Sequence, residues 1–367
     1  MNRITRFLSS EAGLFAGILS AALFFAFGKA WLADLGNPWW AAGLFGWLFV
    51  VILWLAFGVV RHADALAERL GEPYGTVILT LAVIGIEVAM IAAVSLSGNA
   101  HPGLARDTMF SVVMIVLTGM LGGTLLAGGL RHHRQEYNLS GANAYLAVLV
   151  PLAVLTLIVP RFTTSAPGGN VSLLQAVFLL ITSAGLYVTF LLVQTGSQAT
   201  FFLAPATDHG HHHGEPPYAT VTHAILLVAM MAPIVLLAKN LGKLVDYGVD
   251  SLGAPPALGG FLVAVLVLAP EGVSALRAAL DNRLQRTINI LLGSATSTIG
   301  MTVPVVLMIG LFSGRSFELG LEPADIVMLS LTLITSVITL ATGRTTLLQG
   351  VVHLIIFAAY VMLLFDR

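Results

Sequence analysis

Cysteine is absent, so disulfides and thiolate metal sites are excluded, while the redox compartment stays open. Charge is nearly as scarce. Asp, Glu, Lys and Arg make up 10% of the 367 residues, against about 25% in a soluble domain. A soluble fold is thereby excluded. The net charge of −1 offers no basic surface to nucleic acid, so no such partner is expected. Connections long enough to hold a soluble domain are also lacking, the longest lying around 61–73 and 195–218.

Apolar sequence is what remains. Hydrophobic residues make up 57% of the chain, in recurrent stretches of roughly twenty residues, the length that spans a bilayer. The pattern predicts eleven helices, at about 12–34, 38–60, 74–97, 109–130, 141–160, 173–194, 219–240, 257–277, 287–312, 325–342 and 347–365. Arg3 and Arg6 before the first run suggest a signal peptide. Its apolar stretch is too long for that, and a second span follows at once. The expected fold is an all-α integral membrane domain of about eleven transmembrane helices. Ten Lys and Arg fall in loops on the N-terminal side and seven on the other, which favours a cytoplasmic N-terminus.

Sixteen of the eighteen acidic residues fall in loops or near helix ends. The exceptions are Glu87, in "LAVIGIEVAMIAAVSL", and Glu271, in "LVAVLVLAPEGVSALRAAL". A carboxylate at the centre of a membrane helix costs about 2.5–3.5 kcal/mol on insertion scales, so it faces a partner or a wet cavity. The two occupy the third and eighth predicted helices, five apart. If the first helix is extra, helices 2–6 and 7–11 form two five-helix units with one glutamate on the second helix of each. An odd number of crossings inverts the second unit, and inverted repeats with polar groups near the midplane are the plan of many secondary transporters. The divisions that follow are an N-terminal helix at 1–36, repeats at 37–194 and 219–367, and a linker at 195–218.

Hydroxyls accompany the glutamates. Thr76, Thr80 and Glu87 fall within about 40° of one helix face. Thr332, Thr335, Ser336, Thr339 and Thr342 make a stripe on the tenth helix, and Ser294, Thr296, Ser297 and Thr298 cluster on the ninth. Such residues serve interhelical packing as readily as a cavity. Pro270 adds a sharper signal. Proline supplies no N–H, so the Leu266 carbonyl loses its helical partner beside Glu271. A freed carbonyl, a carboxylate and hydroxyls make an all-oxygen site of the kind hard cations take. Gly85 offers a comparable loosening next to Glu87.

These residues resemble a known family. "VVRHADALAERLGEPYGTVILTLAVIGIEVAMIA" (59–92) and "GFLVAVLVLAPEGVSALRAALDNRLQRTINILLGS" (260–294) are similar to the two α-repeats of the calcium/cation antiporter superfamily. "GGLRHHRQEYN" (128–138) and "TGRTTLLQGVVHLIIFAAYVMLL" (342–364) resemble segments of its bacterial ChaA-type calcium:proton antiporters. The resemblance implies eleven helices, inverted five-helix repeats, and a glutamate in each repeat that carries the exchanged ions, here Glu87 and Glu271. Two features depart from it. Plant and fungal relatives have Gly-Asn-Ala before each glutamate, where this chain has Gly85-Ile86 and Ala269-Pro270, so Na⁺ or K⁺ exchange gains weight against Ca²⁺. An acidic run between helices 6 and 7 is replaced by "APATDHGHHHGEPPYA", whose His209, His211, His212 and His213 read as a flexible linker or as a regulatory site for metal or pH. His223 and His353, inside helices, read as hydrogen-bonding packers.

The expected activity is secondary cation:proton antiport. Burial favours the protonated carboxyl and a bound cation the ionised one, so Glu87 and Glu271 hold proton or cation but not both. Thr80, Ser111 and Ser294 are the hydroxyl candidates and Leu266 the carbonyl. Ca²⁺ and H⁺ are the leading ions, with Na⁺ and K⁺ as the alternative or as competitors. No cofactor is expected. A channel does not need paired midplane carboxyls, and an intramembrane hydrolase lacks support, since H-E-x-x-H, Cys and Gly-x-Gly-Asp are all missing.

Overall fold

The computed structural model describes residues 7, 9–70, 74–95, 103–203, 218–313 and 318–366. Its long helices are α1 (Ala12–Trp31), α2 (Pro38–Leu70), α3 (Tyr74–Ser95), α4 (Leu104–His132), α5 (Leu139–Phe162), α6 (Leu173–Thr195), α7 (Thr220–Leu252), α8 (Ala257–Leu280), α9 (Leu284–Phe312), α10 (Pro323–Thr339) and α11 (Leu347–Phe365). Eleven were expected and eleven are found among the described residues. Nine of those described are long and apolar enough to cross a membrane, and the protein is an integral membrane protein.

The ends differ where charged residues continue a helical pattern. α2 was expected to stop at 60 but runs through Arg61–Leu70, whose Ala, Leu, Glu and Arg are strong helix formers. α7 continues past 240 to Leu252 and closes on Gly253, whose φ of 71° is the left-handed C-terminal cap that glycine adopts freely. Both helices are 33 residues long, about 50 Å at 1.5 Å per residue. α4 begins at Leu104, five residues before its expected start, and takes Arg106 and Asp107 into its first turn. An acid there is favoured by the helix dipole.

The chain forms two compact units. Unit one holds α1–α3, α7 and the N-terminal part of α8; unit two holds the rest of α8 with α4–α6 and α9–α11, the boundary falling between Pro270 and Glu271. Each unit therefore draws on both halves of the sequence.

Unit one is built on α2. Leu48, Ile52, Leu55 and Val59 line one of its faces at i, i+4, i+7 and i+11, and pack with Ile234, Leu237 and Ala238 of α7 and Ile86 and Met90 of α3. α1 closes in at Gly17, where a Cβ would lie 2.7 Å from Leu55 Cδ1. Phe24, Trp31 and Trp47 pack edge to face or tilted around the same contact, and Trp47 Nε1 donates to Ser20 Oγ at 3.1 Å.

Unit two is organised by irregular helices. α4 widens to a π-helix at Ile115–Met120 and α9 does so at Thr298–Thr302, again five helices apart. α5 has a third such segment, Val154–Ile158. α4 lies close to α11, where Gly350 leaves no room for a side chain against the Leu126 backbone; α9 lies close to α6, where Gly300 meets the Tyr187 ring. α6 and α11 open on matching capping boxes, Ser172 with Gln175 and Thr346 with Gln349. The strands Gln135–Glu136 and Arg344–Thr345 pair antiparallel and tie the end of α4 to the start of α11.

Candidate functional site

Glu87 projects from α3 in unit one and is 2% exposed, between Ile86 and Met90 at 2% and 1%. Gly85 lets α3 approach α7, since a Cβ there would lie 2.9 Å from Met231 Cε. Glu271, 8% exposed, follows Pro270 in the middle of α8, which stays helical from Ala257 to Leu280. The missing proline N–H leaves the buried Leu266 carbonyl without its helical donor one turn earlier. In unit two the turn carrying Glu271 packs on the end of the α4 π-segment, where a Cβ at Gly272 would lie 2.7 Å from Met120 Cε.

The two serines singled out by sequence share a register. Ser111 lies four residues before the first π residue of α4, Ile115, and Ser294 four before that of α9, Thr298. Both are buried. The Ser111 hydroxyl is 2.7 Å from Tyr360 Oη on α11. Thr80 is helical in α3, but its side chain lies outside the described residues, as do His209, His211, His212 and His213.

A π-turn frees backbone carbonyls, a reason such segments occur at functional sites. One of them is already engaged. His353 Nδ1 donates to Leu117 O at 2.6 Å, and its Nε2 accepts from Thr339 Oγ1 at 3.0 Å. His353 is thus the hydrogen-bonding packer that the sequence suggested. The α10 stripe divides in the same sense: Thr332, Ser336 and Thr339 are buried, and Thr332 Oγ1 points at Met114 Sδ, 3.4 Å away. Thr335 and Thr342 lie outside this buried row.

Sequence reasoning missed several polar groups. It set aside the acids in loops and near helix ends, yet Glu11, Asp107 and Asp325 are at most 7% exposed. It counted Arg106 as a loop charge, whereas Arg106 is buried and gives Nε to Asp107 Oδ1 at 2.8 Å and Nη1 to Gly320 O at 3.2 Å. The adjacent Arg-Asp at a helix start was the available signal. The π-segments had no compositional mark. Tyr137, between the first strand and α5, is buried and its hydroxyl pushed up to about 12 by loss of water. It stays protonated at every physiological pH.

The sodium/calcium exchanger protein family model matches residues 40–196 and 222–365. The chain is 41% identical over 319 residues to the sodium-potassium/proton antiporter ChaA of Escherichia coli, covering 86% of each. It is 22% identical over 282 residues to the Ca²⁺/H⁺ antiporter ChaA of Bacillus subtilis, covering 77% of this chain and 80% of that one. In fold it is similar to native YfkE, with a TM-score of 0.75 at 18% identity over 97% of this chain and 100% of that one. The H⁺/Ca²⁺ exchanger CAX aligns with a TM-score of 0.72 at 13% identity over 96% and 87% of the two chains.

Proposed function

We propose that this chain, which belongs to the sodium/calcium exchanger family, is a secondary transporter exchanging cations for protons across a membrane. One observation carries the reading. Among the described residues a single glutamate is buried at mid-helix in each matched stretch of the sequence, Glu87 on α3 and Glu271 on α8. A buried carboxyl that must be neutralised can take a proton or a cation, and exchange follows from that competition if reorientation needs a filled site.

The reading includes an architecture: 37–194 and 219–367 are two copies of one five-helix plan, the second inverted, joined by 195–218 and preceded by an extra helix within 1–36. Four correspondences five helices apart support it: the 33-residue lengths of α2 and α7, the glutamates of α3 and α8, the π-segments of α4 and α9, and the capping boxes of α6 and α11. A five-crossing unit must invert its successor. The N-terminus is taken as cytoplasmic on the distribution of Lys and Arg.

Glu87 and Glu271 carry the charge, Thr80, Ser111 and Ser294 supply hydroxyls, and Leu266 a carbonyl. Two carboxylates match one Ca²⁺ or two protons in charge. The second reading is exchange of Na⁺ or K⁺, favoured by the relative at 41% identity, whose name gives sodium and potassium. Everted vesicles with a pH-sensitive dye decide between them. Ca²⁺ and Na⁺ should each dissipate a preformed pH gradient, with excess Na⁺ inhibiting Ca²⁺ uptake. Failure of Ca²⁺, Na⁺ and K⁺ alike to release protons would overturn antiport.

A further inference from the structure

Three buried titratable side chains with no part in the exchange reading touch one another in unit one. Glu11 precedes α1 and is 0% exposed, His62 lies on α2 at 1%, and His223 on α7 at 2%. Arg61 Nη2 and His62 Nε2 approach Glu11 Oε2 at 2.6 and 3.1 Å, and Ser10 Oγ donates to Oε1 at 3.0 Å. His62 Nδ1 is 2.8 Å from His223 Nδ1. A carboxylate only accepts, so His62 Nε2 carries the hydrogen and its Nδ1 the lone pair. His223 Nδ1 must then donate to His62. That leaves the lone pair on His223 Nε2, which is buried and has no hydrogen-bond partner among the described residues.

We propose that Glu11, His62 and His223 form a proton-binding site separate from the exchange glutamates, filled at His223 Nε2. The proton forms a bond to that lone pair. The Nδ1 proton of His223 can then pass to His62 Nδ1, and the Nε2 proton of His62 to Glu11 Oε2, so the chain gains one proton in total. A metal ion fits less well. Both nitrogens of His62 are engaged, a single lone pair is open, and among the described residues no three His, Asp or Glu side chains are disposed to hold a metal.

The charged and titratable groups facing the pair are Glu11 from before α1, Arg61 and Arg69 from α2, and Tyr218 at the entrance to α7. Glu11 and Arg61 cancel, so uptake of one proton leaves a positive charge in a place closed to water, which strains the packing of α1 on α2 and α7. The site thus couples pH to the seating of α1, the helix that precedes the matched residues.

The five tryptophans, at 31, 39, 40, 47 and 54, all belong to α1 and α2, and Trp54 packs beside Gly13, two residues after Glu11. Tryptophan emission of the full chain in lipid nanodiscs therefore reports this packing without any transport. Between pH 8.5 and 3.5 it should show one single-proton transition, that of the buried imidazole pair. His223→Gln should abolish it. Glu11→Gln removes the neighbouring negative charge and should move the midpoint to lower pH by about 1–3 units. Absence of a transition in the wild type, or an unchanged transition in His223→Gln, overturns the site. If His223→Gln does not fold, an unmoved midpoint in Glu11→Gln does so instead.

Discussion

Glu87 and Glu271 are both buried mid-helix carboxyls, set on unlike backbones. α3 passes Glu87 without a proline, among aliphatic side chains, so its carbonyls are spent within the helix. α8 breaks its own ladder at Pro270 directly before Glu271, which leaves the Leu266 carbonyl for some other donor or ion. On the proposed reading, any ligand beside the Glu87 carboxylate comes from a side chain. Near Glu271 the backbone can contribute. If the two halves are copies, they have diverged in how they furnish oxygen while keeping the charge.

The largest expected effect tests what they share. Glu87→Gln and Glu271→Gln keep the shape and remove the titrating charge, so each should abolish cation-driven proton release while the protein still inserts. Both activities, with Ca²⁺ and with Na⁺, should vanish together in each variant. A variant that lost one ion and kept the other would break the equivalence of the two glutamates.

The next test addresses what they do not share. Pro270→Ala restores the N–H that the Leu266 carbonyl lacks and so withdraws the carbonyl proposed as a ligand. Loss of one such oxygen should raise the apparent KM for the cation about tenfold, equivalent to about 1.4 kcal/mol, with maximal rate retained. Gly85→Ala frees or removes no carbonyl and meets Met231 instead. It should lower thermal stability by about 1–3 kcal/mol through overpacking and leave KM unchanged. Initial rates across cation concentration separate the two outcomes, and equal KM changes would remove the asymmetry.

A smaller effect concerns the π-segments. Tyr360 pairs with Ser111 of α4, and Tyr187 with Ser297 of α9. These tyrosines sit on α11 and α6, so each half supplies the last helix that braces the other half's irregular one. Tyr360→Phe and Tyr187→Phe should each cost about 1 kcal/mol in thermal unfolding, the net worth of one buried hydrogen bond. A loss at one and not the other would argue against equivalent braces.

The features legible in the sequence are those that burial makes expensive. Apolar length alone located eleven helices, and two charges far from any loop marked α3 and α8, because the bilayer penalises both exceptions. Proline marked the freed carbonyl. What escaped notice depends on partners distant in sequence. The run after Arg61 reads as a polar connection until Glu11, just before α1, and His223 of α7 reach His62. Arg106 reads as a loop charge until Gly320 accepts from it. The π-segments lie on helices that approach α11 and α6 closely, at Gly122 and Gly300, and no residue type announces the widening.

The smallest expected effect lies between the halves. The family match stops at residue 196 and resumes at 222, and His209, His211, His212 and His213 fall in the gap, outside the described residues. Between 195 and 218 there is no Lys or Arg, so four imidazoles dominate what that segment can bind or titrate. Neutral imidazole takes Zn²⁺, and protonation near pH 6.5 removes that capacity. If 37–194 and 219–367 are the two copies proposed, transport chemistry common to both does not need a segment that belongs to neither. Replacing all four with Ser should therefore leave the maximal exchange rate intact and shift only its dependence on zinc or on pH below about 7. The comparison is made in vesicles matched for expression, with and without added zinc. If exchange disappeared at every pH, the segment would have to be counted with the ion pathway, and two five-helix copies would no longer suffice to explain it.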